Sequence, residues 1–151
     1  MFGSLIAGIA FRLGVWERYL GIRSHDRRYF ARAERHFSRA IRNRPDYLQA
    51  HLERGIVRWR ELDDFEGAIQ DFNLVLGLQR DHQKALVCRS MAYWRGGQYA
   101  AAIDDLERVV EINPNSQFAR NAQTQLKSLY LVASELPHIQ KKLPQGDTSF
   151  K

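Results

Sequence analysis

Cysteine is nearly absent from this chain of 151 residues; Cys88 is the only one. That excludes an internal disulfide framework and a cysteine-built zinc centre, and it fits a reducing compartment. Four prolines and ten glycines exclude collagen-like and proline-rich chains. Lysine is missing from the first 60 residues, where all 13 basic side chains are arginine, set against 5 acidic ones. Long apolar runs are missing too. Met1–Phe11 is uncharged and mostly apolar, but Arg12 interrupts it and Glu17 closes it. A spanning helix needs about 20 apolar residues. No basic residue precedes the run, so a cleaved secretory signal is not expected.

The residue types of catalysis are present without their patterns. His25, His36, His51, His82 and His138 form no helical i, i+4 pair of the kind that binds zinc. Ser24-His25-Asp26 is contiguous, and adjacent side chains diverge, so it is not a triad. There is no glycine-rich phosphate loop. No enzyme activity, metal site or cofactor is expected. Asp63-Asp64 and Asp104-Asp105 read as solvated positions on a turn and a helix surface.

What is there is enough apolar sequence for a core, 44% of residues, with 26% charged. The charge is uneven. Residues 1–60 carry a net +8 and residues 61–151 a net −2. A basic N-terminal part suits an anionic membrane, a nucleic acid or an acidic protein face.

The apolar residues recur at a long period. Ala102-Ile103-Asp104-Asp105-Leu106 mirrors Ala68-Ile69-Gln70-Asp71-Phe72, 34 residues earlier. Phe65 and Tyr99 precede the two segments. Trp59-Arg60 and Trp94-Arg95 stand 35 residues apart, which puts one extra residue around Glu61–Asp64. Ala33, Phe37, Ala40 and Pro45 give an earlier copy, and Ala102, Leu106, Val109 and Pro114 a later one. Ala102, Leu106 and Val109 share one helical face. Pro45 and Pro114 fall where a helix should stop, and Gly96-Gly97 marks a tight turn.

These residues resemble the tetratricopeptide repeat, a helix–turn–helix unit of 34 residues. Three copies fall at 14–47, 48–82 and 83–116. The resemblance implies an all-α fold, with helical hairpins stacked in a right-handed superhelix. Residues 117–136 read as a capping helix, with Phe118, Ala119, Ala122, Leu126, Leu129 and Ala133 as its apolar stripe. Residues 137–151 read as a polar tail and residues 1–13 as an N-terminal amphipathic helical segment. Departures from the pattern are Ser24 in the first copy, Arg80 in place of the closing proline in the second, and Ser90 in place of glycine in the third.

The resemblance also implies a concave groove lined by the first helix of each pair. Its positions in the second copy are Leu52, Ile56, Trp59 and Arg60. In the third they are Lys84, Val87, Met91, Trp94 and Arg95. Arg18, Ile22 and His25 belong to it in the first. Apolar and aromatic anchors beside basic groups suit a peptide with apolar side chains and an acidic group; the alternative is that Trp59 and Trp94 pack between helices. Some members hold a peptide's C-terminal carboxylate with a lysine, asparagine and arginine clamp. Here Arg18 and Lys84 keep basic clamp positions, while Ile22 and Cys88 replace the asparagine and arginine, so that use is not expected.

Two further patterns stand outside the groove. Arg28, Arg32, Arg35, Arg39 and Arg42 are spaced 4, 3, 4 and 3 apart, along one side of a helix. They read as a solvated convex face or as a surface for an anionic partner. Phe2, Ile6, Ile9, Leu13, Trp16 and Leu20 form an apolar seam that Leu5 widens. That seam could pack on the first repeat, lie in a membrane interface or pair with another protein. The expected function is a non-catalytic scaffold or assembly factor that binds a protein or peptide. It is placed in the cytoplasm, with attachment to the cytoplasmic face of a membrane as a refinement. Nucleic-acid binding through the arginine stripe is the alternative.

Overall fold

A computed structural model describes residues 2–134. The expected stop at Pro137, the polar tail and the last two residues of the capping segment lie outside the described residues. Seven helices follow in order: α1 (Phe2–Ser24), α2 (Arg27–Asn43), α3 (Leu48–Val57), α4 (Phe65–Leu78), α5 (Gln83–Arg95), α6 (Tyr99–Ile112) and α7 (Gln117–Ser134). No strand occurs among the described residues. Each helix packs on the next, and α1 with α3 and α5 with α7 also touch. The result is a right-handed stack of helical hairpins closed at one end by α7.

The helix starts are set by local hydrogen bonding that satisfies free backbone N–H groups. Asp26 accepts from the Arg28 N–H at 2.9 Å, and Asp64 from the Gly67 N–H at 2.9 Å. His82 Nδ1 accepts from the Ala85 N–H, and Ser116 Oγ from the Ala119 N–H. Gly97, at φ 77°, makes the turn between α5 and α6.

The core rests on small residues facing large ones. Ala33, Ala68 and Ala102 are fully buried, as are Phe37 and Phe72. Each phenylalanine lies against a glycine of the preceding helix. A Cβ on Gly14 would lie 2.6 Å from the Phe37 ring, and one on Gly55 would lie 2.7 Å from the Phe72 ring. Gly21 holds the same relation to Phe30. Hairpin helices therefore approach closely, and each ring loses its water contact. Burial of this kind stabilises by roughly 2–3 kcal/mol per phenylalanine.

Two local features were not visible in the repeat register. Residues 2–13 are not set apart from 14–24, because α1 runs through both as one helix of 23 residues. The extra residue of the second copy is absorbed inside a helix rather than in a loop. α3 ends in a π-helical turn, Arg58–Leu62, closed by the Asp64 N–H on the Arg58 carbonyl at 3.0 Å. Asp63 then takes a left-handed conformation, φ 59°. A one-residue insertion taken up this way widens a single turn and leaves the flanking pairing intact.

Candidate peptide-binding groove

The odd-numbered helices supply one side of the stack, and a chain of ion pairs ties them together. Glu53 of α3 sits between Arg18 of α1, at 3.3 Å, and Lys84 of α5, at 3.8 Å. Both cations that keep basic clamp positions are therefore occupied by a carboxylate of the chain itself. Cys88, one turn beyond Lys84, is largely enclosed. Burial pushes its thiol up to about 11, against the pull of Lys84. It stays protonated at neutral pH and is a packing residue rather than a nucleophile.

Leu52 and Ile56 are core residues, 6% and 8% exposed, packed with Phe72, Val75 and Ala85. Trp59 packs half-buried on the same cluster, as does Cys88. Its indole Nε1 is buried without a hydrogen-bond partner. Trp94 and Val87 pack half-buried on the Leu86, Ile103 and Leu106 cluster, and Met91 is half-buried as well. Both tryptophans thus bridge core and surface, so the choice between anchor and core does not divide them cleanly.

The basic groove residues are exposed but partnered. Arg60 reaches Glu61 at 3.7 Å. Arg95 bonds Asp63 at 3.0 Å and lies over the Phe65 ring at 5.3 Å. Arg18, Ile22, His25, Arg27, Ile56 and Arg60 line a cavity of about 390 Å³ between α1, the start of α2 and the π-helical turn.

Two buried aspartates with structural weight escaped the sequence reading. Asp71 is 1% exposed, and Arg54, Arg58 and His51 converge on it at 2.6, 3.0 and 3.0 Å. Arg58 also pairs with Glu34 of α2 at 2.6 Å, and His51 Nε2 meets the Pro45 carbonyl at 2.8 Å. Burial opposes ionisation of Asp71, but hydrogen bonds from His51 and Arg54 and the two arginine charges outweigh it, so its carboxyl sits below the usual range. Asp105 corrects the expectation of a solvated pair. Asp104 is exposed, whereas Asp105 is 6% exposed and bonds Arg89 at 2.6 Å. For Asp105 burial dominates over Arg89, and its carboxyl sits above the usual range. A clue existed in the sequence: Arg54 and Asp71 recur as Arg89 and Asp105 at equivalent repeat positions.

The arginine stripe lies on the exposed side of α2, opposite buried Phe30, Ala33, Phe37 and Ala40. Arg28 bonds Asp26, and Arg32 lies over the Tyr29 ring at 5.4 Å. Arg35, Arg39 and Arg42 are exposed and form no side-chain ion pair among the described residues. The apolar seam of α1 does not pack on the first repeat. Phe2, Leu5, Ile6, Ile9, Leu13 and Trp16 all face outward, Phe2 at 83% and Leu5 at 63% exposure. The opposite side, with Ala7, Ala10, Gly14 and Gly21, meets α2. No helix among the described residues is long and apolar enough to cross a membrane.

Comparison with known proteins defines the class. Two family models, both described as tetratricopeptide repeat, match residues 26–82 and 83–116. Together they span more than half of the chain, which belongs to the tetratricopeptide repeat family. Solved structures agree in fold. The first repeat domain of Spaghetti (RPAP3), bound to the HSP90 peptide SRMEEVD, is 23% identical with a TM-score of 0.74, covering 87% of this chain and 95% of that one. The TPR2B domain of yeast Sti1, in complex with an Hsp70 peptide, is 18% identical with a TM-score of 0.71, covering 85% and 99%. A tetratricopeptide repeat protein from Parabacteroides merdae is 24% identical with a TM-score of 0.71, covering 88% and 49%. Such a fold serves as a protein-interaction scaffold.

Proposed function

We propose that the chain is a non-catalytic cytoplasmic adaptor or assembly factor that takes a protein or peptide along α1, α3 and α5. The observation that carries this reading is the row of half-buried Trp59, Val87, Met91 and Trp94, with a Trp59 indole N–H that no group among the described residues satisfies. A peptide covering that row would bury apolar surface and give Trp59 an acceptor. Relatives of the same fold bound to peptides support the reading. Glu53 shapes it: with Arg18 and Lys84 already paired, the groove favours apolar anchors over a free C-terminal carboxylate. An acidic side chain is left to Arg60 and Arg95, which are themselves exposed and whose ion pairs with Glu61 and Asp63 are easily exchanged.

The test is to pan a displayed peptide library on the full chain, then measure the selected peptides by calorimetry. Trp59→Ala with Trp94→Ala, and separately Met91→Lys, should abolish binding while circular dichroism stays unchanged. Peptides that bind both variants as tightly as the parent would end the groove reading.

The basic end supports a second reading, attachment to an anionic membrane through α1. The outward apolar face of α1 favours it over nucleic-acid binding, which would use the arginines and leave that face in water.

A further inference from the structure

We infer that the N-terminal end of the stack is a lipid-docking surface, and that it stands the repeat array upright on an anionic leaflet with the groove opening sideways. This rests on the membrane reading of α1 and adds the surface, the lipid class and the orientation.

The surface follows from topology. Among the described residues, α1 packs chiefly on α2, with a smaller contact to α3. Its far side is the end of the stack. Phe2, Leu5, Ile9 and Trp16 lie there, each more than half exposed. The stripe from Phe2 to Trp16 is about 21 Å long. A membrane-interfacial helix ordinarily needs one polar face for water. Here the domain itself covers the inner face with small residues against Phe30 and Phe37, so the helix meets the bilayer as a pre-formed edge.

The chemistry at the margin of the stripe selects the interface. Trp16 and Tyr19 stack at 5.7 Å, and the Arg23 guanidinium lies over the Tyr19 ring at 5.9 Å. Paired amphipathic rings beside arginine suit the headgroup level, with apolar bodies inward and polar tips outward.

Charge decides among the occupants. α1 and α2 carry nine arginines against two acidic side chains, Glu17 and Glu34, with Asp26 between the helices. A second copy meeting this end through the same face would set that excess against itself. α7, the opposite end of the stack, carries Arg120 and Lys127 and no acidic residue, so head-to-tail stacking also brings like charges together. An anionic leaflet satisfies both the apolar stripe and the arginines that pair with no carboxylate among the described residues.

The orientation follows from where the face lies. A plane resting on α1 cuts across the direction in which α1 to α7 are stacked. α7 then points away from the lipid, and the α1–α3–α5 side stands open parallel to the membrane.

The test uses the full chain with vesicles of phosphatidylcholine, with and without phosphatidylserine. Flotation should require phosphatidylserine and fall with added salt. Leu5→Glu with Ile9→Glu, both at exposed positions, should weaken flotation about ten-fold or more at unchanged melting temperature. Flotation that ignores phosphatidylserine or these substitutions would overturn the surface. So would a dimer by light scattering that Leu5→Glu dissociates, which would assign the face to a second copy. Orientation is read separately. In a Cys88→Ala background, a fluorophore at Ser4→Cys should be quenched by nitroxide-labelled lipid, and one at Lys127→Cys should not. Equal quenching at both positions would overturn the upright orientation and leave attachment standing.

Discussion

The two sides of α2 meet two different kinds of surface chemistry. Toward α3 and α4, arginine is a structural residue. Arg54 and Arg58 close on Asp71, and Arg58 also holds Glu34, so each charge is partly desolvated and matched. Toward α1 and the solvent, Arg35, Arg39 and Arg42 stand exposed without an acidic partner among the described residues, beside a helix whose large apolar side chains face outward. The same residue type knits the middle of the stack together and leaves its end uncommitted. The interior of the array is matched in charge, and its N-terminal helix keeps large apolar side chains exposed.

Several measurements would break or sharpen that contrast. Asp71→Ala should have the largest effect. It strands His51, Arg54 and Arg58 around an empty acceptor, and a loss of about 3–5 kcal/mol in denaturant unfolding is expected. A loss below that of an ordinary surface substitution would show that the network is idle. Gly55→Ala comes next. Its Cβ would press on the Phe72 ring, and thermal unfolding should report a loss of about 1–3 kcal/mol.

The two buried aspartates should then separate by pH. The Asp71 carboxyl is lowered, so its contribution is present above the carboxylate range and is lost as pH falls through it. Asp105 is raised, so folding takes up a proton there, and acid favours rather than opposes the folded form at that site. Relative to the parent, Asp71→Asn should flatten the acid limb of stability against pH, and Asp105→Asn should steepen it. Two variants with parallel acid limbs would contradict the assignment. The smallest effect belongs to the uncommitted end. Arg35→Gln with Arg39→Gln should change unfolding by no more than about 0.5 kcal/mol, because both side chains are exposed and neither pairs with an acid among the described residues.

The contrast also explains what could be read from sequence. The repeat register was legible because Ala33, Ala68 and Ala102 recur with phenylalanine or leucine four residues on, and packing between hairpins demands that recurrence. The α1 seam was legible as a stripe, but not its direction. Periodicity marks the apolar side, whereas burial here went to the small side, where Ala7, Ala10, Gly14 and Gly21 admit a close helix. Asp71 and Asp105 were hidden because charge on a helix reads as exposure until its partner from another helix is known. Glu53 was hidden for the same reason, although it sets the polarity of the groove floor.

The unbroken course of α1 has a mechanical consequence. A single rod of about 34 Å joins Phe2, at the outermost edge, to Ile22, in the wall of the cavity. Helices of this kind bend little without a proline or a bulge, and α1 contains neither. Torque applied at its tip is delivered to Arg18, and through it to Glu53 and Lys84, with almost nothing lost to flexure on the way.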